Sequence, residues 1–185
     1  MKTKDMILAA MFGALTAVGA LVAIPLPTPV PFTMQVFFVI LAGILLGPRW
    51  GALSQLVYVL MGSLGLPVFA GGTSGFGKLI GPTGGFIFGF IAAAFVVGII
   101  TRERPNNITW NLTGSLAGLT LIYLLGTTQL ALVAGMSFEK AIAVGVAPFI
   151  LFDIIKITAA GFLGVAVKSA LVKANLLELK TKGTT

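Results

Sequence analysis

The run from Met34 to Leu46, MQVFFVILAGILL, is apolar apart from Gln35. A surface helix or half-buried strand would interleave polar residues at its own period, and a closed membrane barrel alternates lipid-facing with lumen-facing side chains. Uninterrupted runs of this kind point to helices surrounded by hydrocarbon or by one another. Composition extends the point to the whole chain. Of 185 residues, 57% are hydrophobic and only 9% charged, with mean hydropathy +1.07, whereas a soluble domain carries about 25% charged residues. The chain therefore reads as all-α, a polytopic membrane protein whose single integral domain takes up residues 1–185 and leaves no room for a soluble one.

Six helices are expected, at about 6–24, 33–47, 50–62, 84–100, 111–134 and 139–168. The first, from Met6 to Ile24, is long enough to cross a hydrocarbon core of roughly 30 Å. It is not patterned as a signal peptide, whose apolar region is usually about 7 to 15 residues and ends at a small-residue cleavage site; this run ends in Pro25. Pro25, Pro27, Pro29 and Pro31 then alternate through IPLPTPVPF. Each lacks an amide donor and biases its predecessor toward extended geometry, so the connection is stiff. Pro48 and Arg49 form a short turn between helices 2 and 3, and Pro148 is expected to kink helix 6.

Between helices 3 and 4 lies AGGTSGFGKLIGPTGGFIFGF, Ala70 to Phe90, with eight glycines and one proline. So many helix breakers predict a shaped loop. At membrane depth its backbone amides must be buried in protein or line a cavity, because lipid offers them no hydrogen bonds. A ligand site is one reason to build such a loop; close helix approach through glycine is the other. Gly81, Gly85 and Gly89 repeat every fourth residue as helix 4 begins. Ala10 and Ala14, extended by Ala17, form a similar small-residue stripe on helix 1, suited either to internal packing or to another protein. Gly114, Gly118, Thr127, Thr128 and Gln129 give helix 5 a face that meets protein rather than lipid.

Charge sets the expected orientation. An even number of helices puts both termini on one side. That side carries Lys2, Lys4, Arg49, Arg102, Arg104, Lys168, Lys173, Lys180 and Lys182, against Lys78 and Lys140 on the other. Cytoplasmic loops are the basic ones, so both termini are expected in the cytoplasm and the glycine-rich loop outside the cytoplasmic membrane. Trp50 and Trp110 fall at cytoplasmic helix ends, where aromatic belts sit. The net charge of +7 thus serves topology, and nucleic acid is not an expected partner; the membrane lipid is.

Asp153 and Lys156 are the ionisable residues well inside an apolar segment, and at i, i+3 they share one helix face. A charge at that depth costs about 2.5 to 3.5 kcal/mol on insertion scales and normally faces the bundle interior on a substrate or ion path. The alternative is an ion pair that only locks helix 6 to its neighbours. As a site, the pair offers an acceptor and a donor, which suits a neutral, doubly hydrogen-bonding head group better than a bare ion. Lys78, in the outer loop, can attract an anion or remain a solvated loop charge. The absence of Cys and His removes thiolate chemistry and the usual zinc sets, so neither metal nor cofactor is expected. An intramembrane enzyme would need a nucleophile or a second buried carboxylate; a channel would need a continuous polar lining. GKLIGPTGG lacks the order of a phosphate loop, so a transporter of this size must use a gradient or borrow an ATPase.

VPFTMQ after helix 1, LLGPRWG between helices 2 and 3, GLPVFAGGTSGFGKLIGPTGGFIFGF and PFILFDIIK together resemble the BioY family, biotin-specific substrate-capture subunits of energy-coupling-factor (ECF) transporters. The resemblance covers nearly the whole chain. It implies a six-helix bundle that binds biotin from outside, with Asp153 and Lys156 holding the ureido ring and the loop closing over the ligand. Gln35, Phe69, Gly71, Gly72, Gly84 and Gly85 are the further binding residues it suggests. It also implies that Ala10 and Ala14 meet a transmembrane coupling subunit, itself driven by two ATPase subunits. Phe86 departs from the tyrosine expected in GPTGGY and removes a hydroxyl. A subunit of the same class for another vitamin, or a stand-alone secondary transporter or channel, is the alternative, because fold resemblance does not choose the ligand.

Overall fold

A computed structural model describes residues 3–24, 26–104 and 106–173; Lys2, Pro25, Lys180, Lys182 and the basic tail lie outside the described residues. The regular structure is helical: α1 (Thr3–Leu21), α2 (Gln35–Ser63), α3 (Phe76–Ile80), α4 (Gly84–Thr101), α5 (Ile108–Ala134), α6 (Phe138–Gly145) and α7 (Ile150–Lys173), with a 3-10 turn at Ala70–Gly72. Among the described residues, five helices are long and apolar enough to cross a membrane.

One of them, α2, is not a single pass. Gly47 adopts φ 77° and ψ −176°, followed by Pro48, and the chain reverses there. In a straight helix, residues 35 and 58 would lie about 34 Å apart. Instead the Gln35 amide Nε2 donates to the Tyr58 hydroxyl at 2.6 Å. The two arms of this hairpin are the expected helices 2 and 3, joined as the Pro48 turn predicts. The arm from Gln35 to Leu46 covers only about 18 Å. The proline-containing segment before it therefore dips toward the bundle, where Ile24 and Phe32 exchange backbone hydrogen bonds of 2.9 and 3.1 Å.

Small residues bring the helices together. α1 buries Ala9, Phe12, Gly13, Thr16, Gly19 and Ala20, a helical stripe. The hydroxyl of Thr16 is satisfied by the Phe12 carbonyl at 2.9 Å. Against α5, α4 approaches so closely that a Cβ on Gly89 would lie 2.9 Å from the Ile122 Cα, and one on Gly85 would run into the Leu125 carbonyl oxygen. The expected seam of Gly81, Gly85 and Gly89 is corrected in one member: Gly81 ends α3, and Gly84 joins the packed set.

The expected sixth helix is two. α6 stops at Gly145 and α7 begins at Ile150, and Pro148 in the intervening turn has no amide to continue the ladder. The predicted kink is thus a full break. It leaves Asp153 in the first turn of α7, where the positive end of the helix dipole favours a carboxylate.

The loops sort to two ends. Gly98, near the end of α4, packs against Gly47 and Pro48, and Gly164 packs against Ile44, so the Gly47 turn and the ends of α4 and α7 share one end. The prolines, the glycine-rich loop and the α6/α7 break gather at the other, around a cavity.

Candidate functional site

The cavity, counted with the solvent space at its open mouth, encloses about 840 Å³. Its buried charges belong to α7. Asp153 is 4% exposed and Lys156 6%, and Lys156 Nζ donates to Asp153 Oδ1 at 2.7 Å. The pair does not stand alone. The hydroxyl of Tyr123 on α5 donates to Asp153 Oδ2 at 2.6 Å, and Lys156 Nζ donates to the Thr33 carbonyl at 2.6 Å. The same ammonium lies 3.8 Å from the centre of the Phe32 ring, a cation–π contact.

This network leaves capacity for a ligand. A carboxylate accepts at about four positions and an ammonium donates three times. Asp153 uses one acceptor position on each oxygen, and Lys156 two of its three N–H groups toward oxygen. The site therefore offers acceptor and donor side by side, in a desolvated pocket. Around it run Val36, Phe86, Ile87, Phe90, Ile122 and Phe149, an apolar wall. The ring of Phe86 packs on Gly126 and extends to Gly145; a tyrosine there would bring a hydroxyl to this otherwise apolar stretch.

The other candidates divide. Gln35 lines the cavity, with its amide held between Tyr58 and Thr33. Phe69 also lines it, 1% exposed, with its ring edge-on to Tyr58 at 5.6 Å and seated against Gly62. Gly71 and Gly72 are exposed and do not line the cavity. Their φ values of 70° and 69° turn the loop so that Ala70 and Thr73 reach it. Gly84 and Gly85 are likewise not in the lining; they form the α4/α5 seam, and their neighbours Thr83 and Phe86 face the ligand space. Ala10 and Ala14 lie on the exposed side of α1, opposite its buried stripe, so they do not serve packing within the bundle.

The glycine-rich stretch is more ordered than a loop. Leu79 in α3 is buried, and Gln129 of α5 donates from Nε2 to the carbonyls of Leu79 and Gly81 at 2.7 and 2.8 Å. Tyr123, Thr33, Tyr58 and Phe32 escaped the reading of the sequence. Their signal was faint: a tyrosine in an apolar run is ordinary core material until its hydroxyl is seen to face a buried carboxylate. On α5, Thr127 is buried as expected, whereas Thr128 is exposed and returns its hydroxyl to Leu124 at 2.7 Å.

The chain is similar to known proteins over most of its length. The BioY family model matches residues 1–173. "Biotin transporter BioY" of Thermotoga maritima is 46% identical over 165 residues, covering 89% of this chain and 96% of that protein. "Probable biotin transporter BioY" of Pyrococcus horikoshii is 49% identical over 156 residues, covering 84% and 91%. A crystal structure of the S-component for biotin from an ECF-type ABC transporter superposes with TM-score 0.85 at 24% identity, over 91% of this chain and 95% of that one. A match that runs through every helix, the glycine-rich stretch and the buried pair of α7 leaves one conclusion: this multi-pass membrane protein belongs to the BioY family.

Proposed function

We propose that this protein captures biotin in the cavity above α7 and serves its uptake as the substrate-binding subunit of an ECF-type ABC transporter. The observation that carries the reading is the Asp153–Lys156 pair, buried at the end of a cavity and held by Tyr123 and Thr33 with hydrogen-bonding capacity to spare. A ureido group presents N–H donors beside a carbonyl acceptor. Asp153 accepts from the ring N–H, Lys156 donates to the ring oxygen, and the apolar wall receives the fused ring and aliphatic chain. Relatives named as biotin transporters support the choice of ligand.

The orientation follows from charge. With both termini cytoplasmic, the cavity mouth and the glycine-rich stretch face outward, and biotin enters from outside. No phosphate-binding motif is present in the chain, so the energy comes from a module borrowed by contact: a transmembrane coupling subunit and two ATPase subunits. The exposed stripe of Ala10 and Ala14 on α1 suits docking to the coupling subunit, since small residues let two helix backbones approach.

Calorimetry on the purified protein with biotin, thiamin, riboflavin, pantothenate and niacin tests the ligand. Biotin should bind more tightly than the others by several orders of magnitude. Tighter binding of another vitamin would reassign the protein to a different specificity within the same class of subunits.

A further inference from the structure

We propose that Lys78 is the counter-ion for the ligand's acidic end, so that the cavity selects biotin as the free carboxylate over its neutral derivatives. The inference rests on the biotin reading and adds a specificity-determining residue to it. Lys78 lines the same cavity as Asp153 and Lys156, and these three are its charged lining residues among those described. Their places differ. Asp153 and Lys156 are buried, whereas Lys78 is exposed, at the rim on α3. The carboxylate of Asp153 is already paired with Lys156 at 2.7 Å, so the formal charge of the cavity, one carboxylate against two ammonium groups, is a single uncompensated positive charge that resides on Lys78. No ion pair engages Lys78 among the described residues.

The lining therefore combines a buried acceptor–donor pair, the apolar wall of Phe86, Phe90 and Phe149, and an exposed cation. A ligand that matches it has a neutral hydrogen-bonding head, an apolar middle and one negative charge at the far end. Biotin carries its valerate carboxylate there. Gln129 fixes the carbonyls at Leu79 and Gly81, which anchors the backbone of α3 beside Lys78 and leaves the long side chain free to follow the carboxylate. The buried pair reads the head group and the rim cation reads the tail, two separable recognitions.

The test compares biotin with biotinamide, whose carboxyl group is replaced by a neutral amide, by calorimetry on the full chain in neutral detergent. The unaltered protein should favour biotin about fivefold, the scale of a solvent-exposed ion pair, and the preference should shrink as salt is raised. Lys78→Met should bind both compounds alike, and Lys78→Glu should favour the amide. Retention of the full preference in Lys78→Met, or no preference in the unaltered protein, overturns the assignment while the biotin reading stands. Failure of the unaltered protein to bind either compound overturns both. Because Lys78 is exposed, both variants should keep the thermal stability of the parent, and a measured melting curve separates lost recognition from lost fold.

Discussion

Asp153 is held at both oxygens, by Tyr123 at 2.6 Å and by Lys156 at 2.7 Å, and neither partner can leave without exposing a buried polar group. A charged hydrogen bond contributes about 1.5 to 3 kcal/mol. Asp153→Asn removes the charge and turns an N–H₂ toward donors already in place. It should weaken biotin binding by about one to two orders of magnitude, and Lys156→Met should do the same by deleting the donor to the ring oxygen. Melting without ligand is the control, since a purely architectural pair would lower stability and leave the affinity of the folded fraction unchanged. Unaltered affinity in both variants, measured by calorimetry, would sink the site assignment. Phe86 shows the converse at this scale: on Gly126 its ring serves as wall.

At the scale of elements, the glycines of α4 and α5 hold the cavity's shape. A side chain on Gly85 meets the Leu125 carbonyl oxygen, which is backbone and cannot rotate away, so α4 and α5 must separate to admit it. Gly85→Val should lower stability by about 1 to 3 kcal/mol or more, as overpacking does. Gly77, on α3 with open space where its Cβ would sit, is the matched control, and Gly77→Ala should stay within about 0.5 kcal/mol of the parent. Thermal unfolding in detergent reads both; an equal response would refute the seam. The α6/α7 break acts through the same logic of backbone groups. Pro148 interrupts the ladder, and the Asp153 amide donates to the Phe149 carbonyl at 2.8 Å, which starts α7 at the height of the carboxylate.

For the whole molecule, the loops at opposite ends of the bundle predict function by sidedness. The chain has no cysteine, so single cysteines report cleanly. Positions near Gly72 should label from outside the cell and positions near Arg49 only after the membrane is opened; labelling near Arg49 from outside, with positions near Gly72 reached only from the cytoplasmic side, would invert the topology. Ala14→Trp should spoil assembly with the coupling subunit and leave biotin binding intact, because Ala14 lies on the exposed side of α1. Lost binding with assembly preserved would place Ala14 in internal packing instead. Membrane residence and the pairing of Asp153 with Lys156 were legible in the residues: exclusion of charge from lipid acts on composition, and an i, i+3 pair is set by the geometry of one helix. The company of that pair was not legible. Tyr123 stands 30 positions from Asp153, and Thr33 stands 123 from Lys156. A helix apolar all round carries no mark of which face turns inward, so only the interlock of glycines with facing backbones could decide it. That interlock turned Ala10 and Ala14 outward, drew Gly84 and Gly85 into a seam, and folded α2 at Gly47, which brings Gln35 to Tyr58 and completes the cavity.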